Sequence, residues 1–163
     1  LFVIGVGSGL FHSVATAWAS LADVLPILGF ILLYIYAANR DFIGLRPVAA
    51  LAATAVAMLA VVLAGHEIGR ILPGAGANAA YGAVAALILG YGGALLSFAP
   101  ATGMRLLAGA AVLTLSITFR ALDLPLCARW PTGTHFLWHL LNALMLAWMI
   151  EAWRLHRPDA APS

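Results

Sequence analysis

Apolar residues run through this chain in stretches of about twenty, most of them ending near a proline, a glycine or a charged residue. That pattern leaves few folds open. A segment surrounded by hydrocarbon has no water to satisfy its backbone amides and carbonyls, so it must close its hydrogen bonds internally, and a helix does so within one segment. About 20 mostly apolar residues are needed to cross a bilayer. Six such spans fit the sequence, at residues 1–19, 21–38, 47–65, 79–98, 104–121 and 135–153. Composition agrees: charged residues make up 9% of the chain and hydrophobic ones 64%, against roughly 25% charged in a soluble domain. The expectation is an all-α integral membrane protein, a bundle of six visible transmembrane helices.

The breaks between spans have physical causes. Asn39-Arg40-Asp41 and Arg46-Pro47 bound the second connection, and the third runs from His66-Glu67 through Pro73-Gly74-Ala75-Gly76 to Asn78. Pro100 and Gly103 break the fourth, and the fifth extends from Asp123-Leu124-Pro125 to Pro131-Thr132-Gly133. The first thirty-eight residues are too long for one span, so a tight turn is expected near Trp18–Leu21. Ala49, Ala53, Ala57, Gly90 and Gly93 are small residues suited to close helix packing. No internal repeat or linker marks a second domain, so residues 1–153 read as one transmembrane domain and 154–163 as a polar tail. The chain is apolar from Leu1, with no basic leader or cleavage site, which reads as a chain truncated at its N-terminus rather than one with a signal peptide.

All eight basic residues are arginines, scattered singly, and the net charge is +2. This excludes a nucleic-acid-binding stripe. Alternating the spans puts Arg40, Arg46, Arg105, Arg154 and Arg157 on one side and Arg70, Arg120 and Arg129 on the other. The excess places the first side, with the C-terminus and tail, in the cytoplasm. A lone cysteine, Cys127, precludes an intramolecular disulfide and a cysteine metal cage.

Polar residues inside such spans are costly and point to function. Ser8 and His12 are four apart, as are His135 and His139, and residues four apart in a helix share a face one turn up. On the same walk His12 ends span one, Asp23 opens span two and His135 opens span six, all on one side of the membrane. Three imidazoles can hold zinc and leave a fourth position for water. Asp23 suits a general base or a carboxylate orienting a ligand histidine, and Ser8 suits a hydrogen-bond donor to an oxyanion. Structural alternatives stand beside each. The histidines can be packed polar groups, Ser8 a backbone-bonded hydroxyl, and Asp23 the cap of span two. Arg120 and Asp123, three apart, suit a local ion pair. His66 and Glu67 read as solvated interface residues, His156 as a tail residue without a functional role, and Trp18, Trp130 and Trp153 as interfacial anchors. Trp138 and Asn142 share the helix of the paired histidines, as pocket lining or as packing.

Gly7-Ser8-x-x-x-His12, then Asp23-Val24-Leu25-Pro26, then Gly133-Thr134-His135-Phe136-Leu137-Trp138-His139-Leu140-Leu141-Asn142-Ala143 together resemble the alkaline ceramidases, especially their bacterial relatives. More broadly the pattern is similar to the membrane hydrolase superfamily that includes adiponectin-type receptors, hemolysin III-like proteins and GPI-lipid remodelling enzymes. The resemblance covers nearly the whole chain, as helices two to seven of a seven-helix fold. It implies His12, His135 and His139 as zinc ligands with Ser8 and Asp23 beside the metal. The helix that precedes the Ser-x3-His helix in the family is missing here, as is the acidic calcium site of the eukaryotic ceramidases, so no calcium site is expected.

The function so implied is zinc-dependent hydrolysis of the amide of ceramide-like lipids to a long-chain base and a fatty acid, the lipid entering from the bilayer. The implied location is a bacterial inner membrane. Rivals are a lipid esterase and a receptor-like or hemolysin III-like membrane protein with structural zinc. The residues specify neither oligomeric state nor acyl-chain preference.

Overall fold

A computed structural model of the chain describes residues 1–156. The described residues are helical with turns and short loops, and no strand occurs among them. Six α-helices follow in order: α1 (Phe2–Val14), α2 (Ala17–Ala37), α3 (Pro47–Ile71), α4 (Asn78–Leu95), α5 (Pro100–Leu126) and α6 (His135–Arg154). Five of them, α2 to α6, are long and apolar enough to cross a membrane. The chain is an all-α, multi-pass membrane protein. Its side chains confirm the solvent: Phe2, Leu33, Val48, Val56 and Leu124 are among many large apolar residues left exposed. Such all-round apolarity is the mark of a helix facing lipid.

The expected first span is the exception. α1 has 13 residues, about 20 Å at 1.5 Å per residue, short of a hydrocarbon core of about 30 Å. It stops because Ala15 turns left-handed, with φ 50°, and its amide closes on the Phe11 carbonyl. Thr16 is then extended, and α2 begins at Ala17. The turn expected near Trp18–Leu21 thus falls several residues earlier, and Trp18 lies on the first turn of α2.

The chain divides into two compact units, Leu1–Ala55 and Val56–Ser163. In the first, α1 packs on α2. They meet at Gly7, where a Cβ would overlap the Ala22 carbonyl, so only glycine permits this approach. α2 widens at its end into a π turn, Ala38–Phe42. There the Asn39 amide donates to the Thr54 hydroxyl (3.3 Å), and Thr54 donates to the Ala50 carbonyl (2.7 Å). These are the bonds that make polar side chains tolerable in the buried interior.

In the second unit α5 packs on both α4 and α6. α4 and α5 cross where Gly92 and Gly103 face each other: a Cβ on Gly103 would lie 2.7 Å from the Gly92 carbonyl oxygen. The expected packing residues Gly90 and Gly93 meet nothing within 4 Å, and the close crossing belongs to their neighbours instead. Gly109 of α5 takes the Met149 sulfur of α6 in the same way. Two further bonds tie α5 to α6: the buried Ser116 hydroxyl donates to the Trp138 carbonyl (3.0 Å), and the Trp148 indole donates to the Arg105 carbonyl (2.8 Å).

Several expected connections prove to be helical. α3 continues to Ile71, so His66 and Glu67 sit on its last turns, where Glu67 pairs with Arg70 at 2.7 Å. Gly103 lies inside α5, which starts at Pro100, and Asp123 lies in its final turns. His156, read as part of the polar tail, meets the Thr102 hydroxyl of α5 at 2.8 Å. Most of the expected polar tail, 157–163 with Arg157, falls outside the described residues.

Candidate metal centre

His135 is the first residue of α6 and His139 follows one turn later. The helical repeat stacks their rings with centroids 4.8 Å apart, nearly perpendicular at 72°. Each ring offers a ligand atom, the two within 4.8 Å of each other, and the His139 Nε2 is buried. Neutral imidazole nitrogens are good zinc ligands.

The start of α6 is held by its neighbour. Gly133 takes φ 61°, and the chain then enters the helix through Thr134. The Asp123 Oδ1 accepts the amides of both Thr134 (2.7 Å) and His135 (3.0 Å). A carboxylate at the positive end of a helix satisfies amides that have no partner within it. The buried Thr134 hydroxyl donates to the Phe119 carbonyl at 2.6 Å. The second oxygen of Asp123 stands 3.7 Å from the His135 Nδ1. Asp123 therefore does not make the expected local ion pair with Arg120. Arg120 instead donates to the Asn78 amide oxygen (3.1 Å) and lies over the rings of Tyr81 and Trp138, 5.2 and 5.0 Å from their centroids. Trp138 is buried edge-on against Tyr81. It is a packing residue that fixes the face of α6 from which the two histidines project.

In the first unit Ser8 is half-buried near the middle of α1, and His12 is exposed on its last turn, its ring 5.7 Å from that of Phe11. Asp23 is half-buried on α2, inside the helix rather than at its start. The cap position belongs to Thr16, which removes capping as an account of Asp23. The approach at Gly7 brings the two segments together, since a Cβ there would stand 3.2 Å from the Asp23 amide nitrogen. One unit thus brings the Gly7–Ser8 stretch of α1 against the Asp23 segment, with His12 one turn after Ser8, and the other pairs His135 with His139 and Asp123. Asp123 is the residue that sequence reasoning placed elsewhere, because its role depends on a loop folding back over twelve positions.

Fold and residues define a multi-pass α-helical membrane protein that carries a histidine pair at the mouth of its last described helix. No protein-family model, curated protein or solved structure matches the chain.

Proposed function

We propose that His12, His135 and His139 together ligate one zinc ion and that the protein hydrolyses a lipid amide of the ceramide class. The observation that carries the reading is the histidine pair of α6, whose ring centroids lie 4.8 Å apart at a helix mouth braced by a carboxylate. Support for His12 as third ligand is its chemistry and its place, one turn after Ser8 and close in sequence to Asp23. Support for the lipid amide is the resemblance of the three segments to the alkaline ceramidases.

Zinc at such a centre supplies Lewis acidity and a water whose pKa falls to about 7. The residues of the chain do the rest. Asp23 accepts a proton from the attacking water and returns it to the departing nitrogen, so that one C–N bond breaks as one C–O bond forms. Ser8 donates a hydrogen bond to the carbonyl oxygen as negative charge develops on it. The apolar helices hold the substrate's chains in the bilayer and the centre takes its polar head. The arginine distribution places the C-terminus in the cytoplasm and the mouth of α6 on the opposite side.

The test is incubation of the full-length protein, in lipid nanodiscs, with a panel of lipid amides and esters and mass spectrometry of the products. Free fatty acid and long-chain base from ceramide is the expected result. Cleavage of esters alone would make it an esterase. Stoichiometric zinc with no turnover of either class would assign the metal a structural role.

A further inference from the structure

The Asp123 carboxylate has two oxygens with two different neighbours. Oδ1 is engaged by the amides of Thr134 and His135 at 2.7 and 3.0 Å, which pins the carboxylate against the first turn of α6. Oδ2 is thereby aimed along the helix mouth, 3.7 Å from the His135 Nδ1. The Asp123 side chain is 21% exposed and that of His135 37%, so the carboxylate is the more enclosed partner of a partly solvated pair. Gly133 shows that the arrangement is tight: a Cβ at that position would overlap Asp123 Oδ1 and touch the Cys127 sulfur at 3.5 Å. Glycine is needed there twice, for the left-handed φ of 61° and for the space the carboxylate fills.

We propose that Asp123 is a positioning residue for the metal centre, setting the orientation of the His135 ring from outside the ligand set. The inference rests on His135 being a metal ligand. A ligating histidine almost always gives its other ring N–H to a carboxylate, carbonyl or water, which fixes the tautomer and raises the basicity of the ligating nitrogen. With Nδ1 facing Asp123, His135 presents Nε2 to the metal. The carboxylate also offsets charge that three neutral imidazoles leave on a divalent ion. One residue thus does two things at once: it ends the loop before α6 and orients the ligand that begins α6.

The two roles separate experimentally. Asp123→Asn keeps an oxygen with the reach to accept the amides of Thr134 and His135, Asp123→Ser keeps only a shorter hydroxyl, and neither has a carboxylate facing Nδ1. Zinc affinity of the purified full-length protein, measured by competition with a chromogenic chelator, is expected to fall about 10–100-fold in each, while the melting temperature of the metal-free protein stays near that of wild type. Either variant suffices if the other does not fold. Thr134→Val is the control, since it removes the hydroxyl bond to Phe119 without touching the carboxylate; it should lower the melting temperature and leave zinc affinity alone. The cobalt-substituted protein gives a spectroscopic check, because a reoriented imidazole shifts the visible bands in the Asp123 variants and not in Thr134→Val. Wild-type affinity in Asp123→Asn or Asp123→Ser would overturn the proposal while leaving the metal centre intact. So would an equal loss in Thr134→Val, which would reduce Asp123 to a helix anchor. A wild-type protein that binds no zinc, or a His135→Ala variant that binds it fully, would overturn the metal reading itself.

Discussion

Replacing Gly7 by alanine is expected to force α1 and α2 apart, whereas the same replacement two residues on, at Gly9, is expected to be harmless. The added Cβ at position 7 would overlap the Ala22 carbonyl oxygen and stand 2.8 Å from its carbon and 3.2 Å from the Asp23 nitrogen. These are backbone atoms inside a helix, so no side chain can swing clear. Carbon atoms in contact sit about 3.5–4.0 Å apart, so the two helices must separate by roughly 1 Å at this point. Overpacking costs about 1–3 kcal/mol, and a rigid backbone obstacle belongs at the upper end. The better helix propensity of alanine returns about 0.5–1 kcal/mol. The net loss is therefore about 2 kcal/mol, more than tenfold in the unfolding equilibrium. A Cβ on Gly9 meets nothing within 4 Å, so Gly9→Ala keeps only the propensity gain. Denaturant titration in one detergent, followed by circular dichroism, compares the two. Because Gly7 lies beside Ser8 and its contact is with the Asp23 segment, hydrolysis should suffer as well: displacement by 1 Å can cost about 10²-fold. Equal stability and equal turnover of Gly7→Ala and Gly9→Ala would refute the close approach of Gly7 to the Ala22–Asp23 backbone.

His139→Ala should leave the purified protein with little zinc by elemental analysis, since two imidazoles make a poor site; full occupancy would remove that residue from the ligand set. Asp23→Asn should retain the metal and lose about 10²–10⁴-fold in hydrolysis, and a rate near wild type would leave Asp23 without a part in proton transfer. Cys127 is exposed and lies just beyond α5, at the end from which the chain turns into α6. It should react with a membrane-impermeant thiol reagent added to intact cells, and labelling only after lysis would reverse the assigned orientation.

Where the spans lie was legible because it follows from solvent: long apolar runs interrupted by Pro47, Pro73 and Pro100 have to be helices bounded near those residues. Where α1 ends was not. Only Thr16 interrupts the apolar residues from Val14 to Trp18, and nothing in Ala15 announces a left-handed conformation, which alanine seldom adopts. The packing glycines show a related limit. Gly92 and Gly93 are adjacent in sequence, yet a step of one residue turns about a third of the way around a helix. Composition identifies a glycine-rich face only to within that step, and the structure chose Gly92. For the candidate site, both four-residue spacings were legible because a helix converts them directly into a shared face. Asp123 was not, because its neighbours His135 and Thr134 are brought to it by a reversal of the chain at 127–133.

His12, His135 and Asp123 lie on the end turns of their helices, and the physics of the solvent explains why. Within a lipid-facing helix a ring nitrogen or carboxylate has no water and few partners, so it is costly. At a helix mouth the free amides of the first turn require an acceptor in any case. Asp123 meets that structural need with one oxygen, and the second is left beside the His135 ring. His12 occupies the matching position on the last turn of α1, where the chain leaves its helix through Ala15. Residues that end helices and residues suited to hold a metal therefore coincide in this chain. A residue inserted between the turn and either histidine would rotate that imidazole by about 100°, so the proposed site depends on where the helices begin and end as well as on the histidines.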